Sequence, residues 1–228
     1  MGKGEIQMNQ RKIIHLATGM PEQMAYSPGK EIRTGICKKQ VDETFLAKEG
    51  FQGDGVADLR YHGGRDRAVC VYPYEHYQKW NEEFDTELPM SAFGENLVLS
   101  GMVEKDVCIG DVYQVGDAVI QVTQGRNPCD TITKRTGIKG ILKRMIETSY
   151  TGYLCRVLKE GTITQDAEVK LIQAHPDQVS VWFTLDLYFH RSKDVEGMQR
   201  ALEVAELAED WKHKFQTRIE KALSVAQR

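Results

Sequence analysis

The sequence predicts a mainly β domain over residues 1–174, followed by a small three-helix domain over residues 175–228. Two observations carry this. Short runs that alternate apolar and polar residues, the period-2 signal of half-buried strands, recur from Ile13 to Ile172. Beyond Pro176 the only glycine is Gly197, and apolar residues there recur every three or four positions, as on one face of a helix.

The chain has 228 residues, enough for one large domain or one domain with a small appendage. Its formal net charge of -3 argues against nucleic acid or an anionic membrane as a partner. The five cysteines, Cys37, Cys70, Cys108, Cys129 and Cys155, are odd in number and contain no C-x-x-C pair. That pattern suits a reducing compartment and matches neither a disulfide framework nor a zinc site. Met1 to Lys12 lacks the apolar stretch of a signal peptide. No apolar run approaches the roughly 20 residues that span a bilayer. The protein therefore reads as cytoplasmic.

Ile13 to Thr18 reads as the first strand. Met20 to Lys30, with Pro21, Pro28 and Gly29, reads as a loop, and Gly35 to Phe45 as short extended pieces. Gly50 to Asp66 holds five glycines, which argues against regular structure. Its amides can form an anion-binding nest, with Arg60 and His62 adding donors, or it can be a pair of tight turns. Ala68 to Tyr72 reads as a buried strand. Pro73 then opens a helix over Tyr74 to Phe84, whose Tyr77, Trp80 and Phe84 form a core stripe. Leu97 to Leu99 reads as a strand, entered through Glu95 and Asn96. Val107 to Val115 and Ala118 to Val122 read as two strands joined at Gly116-Asp117.

The second of these delivers Ile120-Gln121-Val122-Thr123-Gln124-Gly125-Arg126-Asn127-Pro128-Cys129. Gly125 breaks the strand and Pro128 fixes the backbone before Cys129. Arg126, three residues away, favours the thiolate, the form that attacks electrophiles and binds soft metals. The other reading is a buried apolar thiol, which is the one adopted for the other four cysteines. A helix follows over Gly140 to Thr148, then strands over Tyr153 to Leu158, turning at Gly161, and Val169 to Ile172. In the tail, helices span Ser180 to His190, then from an Asp194 cap to about Ala205, and from Asp210 with Trp211, Phe215, Ile219 and Leu223 on one face.

Several blocks together resemble the MOSC-domain proteins, and within them the YiiM-type subgroup, which includes proteins linked to resistance against 6-N-hydroxylaminopurine. They are His62-Gly63-Gly64-x-Asp66-Arg67-Ala68, Tyr72-Pro73-x-Glu75-His76-Tyr77, Phe93-Gly94-Glu95-Asn96-Leu97, Ile109-Gly110-Asp111 and Gln121-Val122-Thr123-Gln124-x-Arg126-x-Pro128-Cys129. The helical tail resembles that subgroup's extension. The family usually has proline where this chain has Gly125 and Arg65.

The resemblance implies a MOSC-type β-barrel with a pocket at one end, and a molybdenum cofactor (molybdopterin) whose metal is held by Cys129. Arg60, His62, Arg65 and Lys30, with the amides of Gly63 and Gly64, are candidates for the cofactor phosphate. Arg126 borders the same site, and Asp54 and Asn96 are candidates for the pterin edge or simple turn residues. Two functions follow. One is a molybdenum-dependent reductase of N-hydroxylated bases or amines. The chain carries no flavin, haem or iron–sulfur motif, so a separate electron-donor reductase is implied. The other is a sulfur carrier that takes a persulfide on Cys129 from a cysteine desulfurase, any pyridoxal phosphate belonging to that partner.

Overall fold

The computed structural model describes residues 11–58 and 62–226. The strands are β1 (Lys12–Thr18), β2 (Glu22–Ser27), β3 (Lys30–Thr34), β4 (Lys39–Gln40), β5 (Glu43–Ala47), β6 (Gly50–Phe51), β7 (Val69–Pro73), β8 (Leu97–Ser100), β9 (Val112–Val115), β10 (Ala118–Gly125), β11 (Tyr153–Lys159), β12 (Gly161–Thr164) and β13 (Val169–Gln173). The helices are α1 (Tyr74–Phe84), α2 (Thr131–Thr136), α3 (Ile141–Thr148), α4 (Val181–Phe189), α5 (Val195–Leu202) and α6 (Glu209–Ala226). Eight strands form one curled sheet, a half-barrel in the order β13-β9-β10-β11-β7-β8-β1-β4. Its pairs are antiparallel except β7 with β8, which α1 connects. Parallel neighbours need such a crossover. A β12-β5-β6 sheet and a β2–β3 hairpin complete the strands.

Alternation along the strands sends Val69, Val71, Leu97, Leu99, Val122, Tyr153 and Cys155 to one face. Leu185, Leu187, Met198, Trp211 and Phe215 of α4 to α6 join the same core cluster. The helical tail thus roofs the sheet, each fully buried aliphatic or aromatic side chain contributing about 2 kcal/mol. The other face carries Tyr72 and Val98, packed with Tyr77, Trp80, Phe93, Ile132, Ile141 and Met145. Helix starts follow local chemistry. Pro73 precedes α1 with φ −66°, the Ser180 side chain accepts from Phe183 N at 3.1 Å, and that of Asp194 accepts from Gly197 N at 2.8 Å. No helix among the described residues is long and apolar enough to cross a membrane.

Five local expectations are corrected. The Met20–Lys30 loop contains β2, which pairs with β3. Its pattern was illegible because only Met24 of β2 is buried. The strand expected over Val107 to Val115 begins only at Val112. Gly110 takes φ +88°, and the Asp111 carboxylate accepts from Cys108 N at 2.9 Å and His175 N at 2.8 Å, which folds 107–111 into a turn. α2 was not foreseen, because six residues show less than two turns of periodicity. Gly50 and Phe51, inside the glycine-dense stretch, pair with β5 as a short strand. Gly161 opens β12 instead of only turning β11.

Candidate functional site

β10 ends at Gly125, where a Cβ would collide with the Leu185 side chain of α4. Glycine here lets the helix approach the strand end closely. Arg126 N donates to Gly152 O at 3.0 Å, and its Nη2 donates to Phe93 O. Its Nη1 is buried without a partner. Pro128 is buried, Cys129 is half-buried, and Cys129 O accepts from Ile132 N at 3.1 Å as α2 begins.

The Cys129 thiol is pushed by burial upward, yet its value falls from 9.0 to about 6. Hydrogen bonds from the side chains of His62 and Thr131, the positive charge of Arg126 and the Thr131 amide outweigh the desolvation. At neutral pH the sulfur is mostly thiolate, the nucleophilic and metal-binding form. The other strand-associated thiols move the opposite way. Burial raises Cys70 and Cys155, and burial with the carboxylates of Asp111 and Asp106 raises Cys108 to about 11.

Gly63 and Gly64, with φ +80° and +89°, follow His62 in the conformation that favours glycine. The Gly64 Cα faces open space, and Gly63 O accepts from Arg67 Nε at 2.8 Å. Arg60 lies outside the described residues. Arg65 turns to the surface and pairs with Glu49 at 2.9 Å, both exposed. Lys30 is exposed at the turn of the β2–β3 hairpin, opposite Ser27. Among the described residues, His62 is the member of that expected set that hydrogen-bonds the sulfur.

Asp54 and Asn96 form a linked pair. Asn96 Nδ2 donates to Asp54 Oδ2 at 3.0 Å, and Asn96 Oδ1 accepts from Cys70 N at 3.2 Å. Asp54 also accepts from Gly19 N at 2.9 Å and pairs with Lys38. The Lys38 side chain is only 5 % exposed. A buried lysine needs such a partner. Sequence reasoning missed Lys38, since its partner sits in a different glycine-rich loop and its own neighbourhood carries no motif. Lys38, Asp54, Arg126 and Glu95 all act electrostatically on Cys70, so this chain of groups borders the Arg126 end of the sheet. Glu95 is fully buried, its carboxyl raised by that burial, and it accepts from Tyr77 Oη. His76 is a satisfied helix residue, paired with Glu104 at 2.6 Å.

Among the described residues no three His, Cys, Asp or Glu side chains gather as a metal cage. The site offers one soft ligand, flanked by hydrogen-bond donors and positive charge.

Residues 58–170 match the profile of the MOSC domain, and residues 179–222 match that of the YiiM-like 3-alpha helix domain. Protein YiiM of Escherichia coli is 37% identical over 198 residues, 85% of this chain and 87% of that protein. A protein named "Reductase" in Gibberella moniliformis is 39% identical over 150 residues, 64% of this chain but 27% of that longer protein. The crystal structure of YiiM from Geobacillus stearothermophilus superposes with a TM-score of 0.78 at 29% identity, covering 92% of this chain and 99% of that one.

Proposed function

Because the protein belongs to the MOSC family and to its YiiM type, we propose that it holds a molybdenum cofactor through Cys129 and reduces N-hydroxylated bases or amines with electrons from a separate donor. One observation carries the reading: a half-buried thiol held as thiolate by His62, Thr131 and Arg126 at the end of a strand. MOSC domains are associated with molybdenum-cofactor binding as a family.

The residues present fit the group. A single thiolate with no protein cage among the described residues suits a soft metal that arrives with its other ligands on a pterin. Arg126 Nη1 is a buried donor without a partner, and Gly64 leaves space for close approach of a ligand to backbone. When bound, the cofactor supplies two-electron oxygen removal. In the overall reaction the N–O bond of an R–NHOH substrate breaks, two electrons come from the donor, two protons are taken up, and R–NH₂ and water leave. In this reading Cys129 holds the metal, and His62, Thr131 and Arg126 keep its sulfur anionic. Gly63, Gly64 and Arg60 serve the anionic end of the cofactor, and Lys38, Asp54 and Asn96 brace the neighbouring wall. Arg65 and Lys30 have no part in it. That the fungal relative is named a reductase supports the reductase reading.

The same ionised thiol is what a sulfur carrier requires, so a Cys129 persulfide supplied by a desulfurase partner is the second reading. Both are tested by purifying the protein from a host competent in cofactor synthesis. Molybdenum with pterin fluorescence, and reduction of 6-N-hydroxylaminopurine with a supplied electron donor, are expected. A metal-free protein carrying a Cys129 persulfide would instead establish the carrier.

A further inference from the structure

A recess of about 240 Å³ is bordered by Glu75, His76, Lys79, Glu104, Lys105 and Tyr150. At its base sit two buried ionisable groups that the proposed chemistry does not use. His76 is 4% exposed and Glu104 is 1% exposed. We infer that Glu104, gripped by His76, is a positioning residue for the Arg126–Cys129 loop.

The connection is a continuous line of hydrogen bonds. His76 Nε2 meets Glu104 Oε2 at 2.6 Å, and Glu104 Oε1 accepts from Gly152 N at 2.7 Å. Gly152 O in turn accepts from Arg126 N at 3.0 Å. That last bond falls just beyond the final β10–β11 pair, Gly125 with Tyr153, so it sets the course of the chain as it leaves the sheet. The Gly152 peptide is held on every side. Its φ is +76°, a Cβ there would collide with Val71 O, and the preceding Tyr150 O accepts from Tyr72 Oη at 3.1 Å. Glu104 also ties in the roof, because its backbone O accepts from Trp182 N at 2.8 Å at the start of α4. α4 is the helix that rests on Gly125.

A buried carboxylate is expensive unless its oxygens are occupied, and an apolar residue would pack this position more cheaply. What a leucine cannot do is hold the Gly152 amide, just before β11, and the His76 ring of α1 at once. The role is one of acceptor geometry, not of charge. With its proton on Nδ1, His76 can accept at Nε2 from the amide NH₂ of a glutamine whose Oε1 still accepts from Gly152 N, so Glu104→Gln preserves the line and Glu104→Leu cuts it.

The inference rests on Cys129 being the working group, but not on any cofactor, and its test needs none. The full-length chain is alkylated with iodoacetamide at pH 7 and the modification of each cysteine is followed by mass spectrometry. Deuterium uptake is followed in peptides spanning Arg126. Glu104→Leu is expected to slow Cys129 alkylation roughly tenfold, the equivalent of one hydrogen bond, and to raise uptake around Arg126. Glu104→Gln should restore both to within about twofold of the parent. If Glu104→Leu does not fold, His76→Leu, which frees one carboxylate oxygen only, should give a smaller shift in the same direction. A folded Glu104→Leu or His76→Leu with unchanged alkylation overturns the proposal. So does a Glu104→Gln protein that behaves like Glu104→Leu, since charge would then be what matters. Absence of molybdenum from the parent protein would leave these results as they stand.

Discussion

Cys108 lies in the turn before β9 and Cys129 in the turn after β10, and their thiols are pushed in opposite directions. Burial and the carboxylates of Asp111 and Asp106 carry Cys108 up to about 11. Burial acts on Cys129 too, but His62, Thr131 and Arg126 bring it down to about 6. Both sites are turns beside the same sheet. What differs is the sign of the groups that surrounding elements turn toward the sulfur. Around Cys108 the neighbours are carboxylates that brace backbone amides, as Asp111 does for Cys108 N and His175 N. Around Cys129 they are a cation and hydrogen-bond donors. Which thiol is reactive is therefore set by neighbours, not by exposure of the cysteine.

The largest effect that sharpens this comparison is expected from Cys129→Ser. It exchanges a soft thiolate for a hard hydroxyl of nearly equal volume. Molybdenum content or persulfide should fall at least roughly a hundredfold, beyond what loss of a supporting residue produces. At pH 6, where the thiolate adds little stability, the melting temperature should move by less than about 3 °C, as for changes under 1 kcal/mol. Full activity in this variant would remove both functional readings together.

Next comes His62→Ala, which removes one of the hydrogen bonds to the sulfur. The pH midpoint of Cys129 alkylation should rise from about 6 by roughly one unit, with a proportionate slowing at pH 6. An unshifted midpoint would assign the lowered value to Arg126 and Thr131 instead.

The thiolate also enters the stability of the fold. Its folded value lies below the ordinary 9.0, so its contribution is fully present above that value. It is lost as pH falls through about 6. The melting difference between parent and Cys129→Ser should accordingly narrow between about pH 9 and pH 6. A constant difference over that range would mean that the sulfur is not ionised in the folded protein.

The smallest functional effect is expected at Cys108. Cys108→Ser places a hydroxyl in a buried turn and should cost about 1 kcal/mol, a drop of a few degrees in melting temperature. Cys129 alkylation should stay at the parent rate. A comparable loss there would show that the two cysteine turns are coupled through α4.

Much of the frame was legible in the chain. Pro73 and the Tyr77–Trp80–Phe84 stripe predict α1 over the residues it occupies. Asp194 caps α5 as its spacing implies, and the alternation of Ile120 and Val122 places β10. Cys129 stands out by itself, because Arg126 and Pro128 lie within one turn of chain. These signals are local, and local sequence carries them whole.

Other features depend on residues brought together from afar. The β2–β3 hairpin buries only Met24 and Thr34, so no apolar period marks it, and its strands are defined by their pairing. Arg65 carries the same charge as the other candidates, but its position lets Glu49 take it out to solvent. Lys38 has no motif, and only the meeting of two loops buries it against Asp54. By itself the sequence determined which segments alternate, which turn, and which thiol stands beside a cation. The tertiary structure decided which groups face that thiol. Hydrogen bonds and charges act over a few ångströms of space, while the chain that supplies them runs through separate loops, strands and helices.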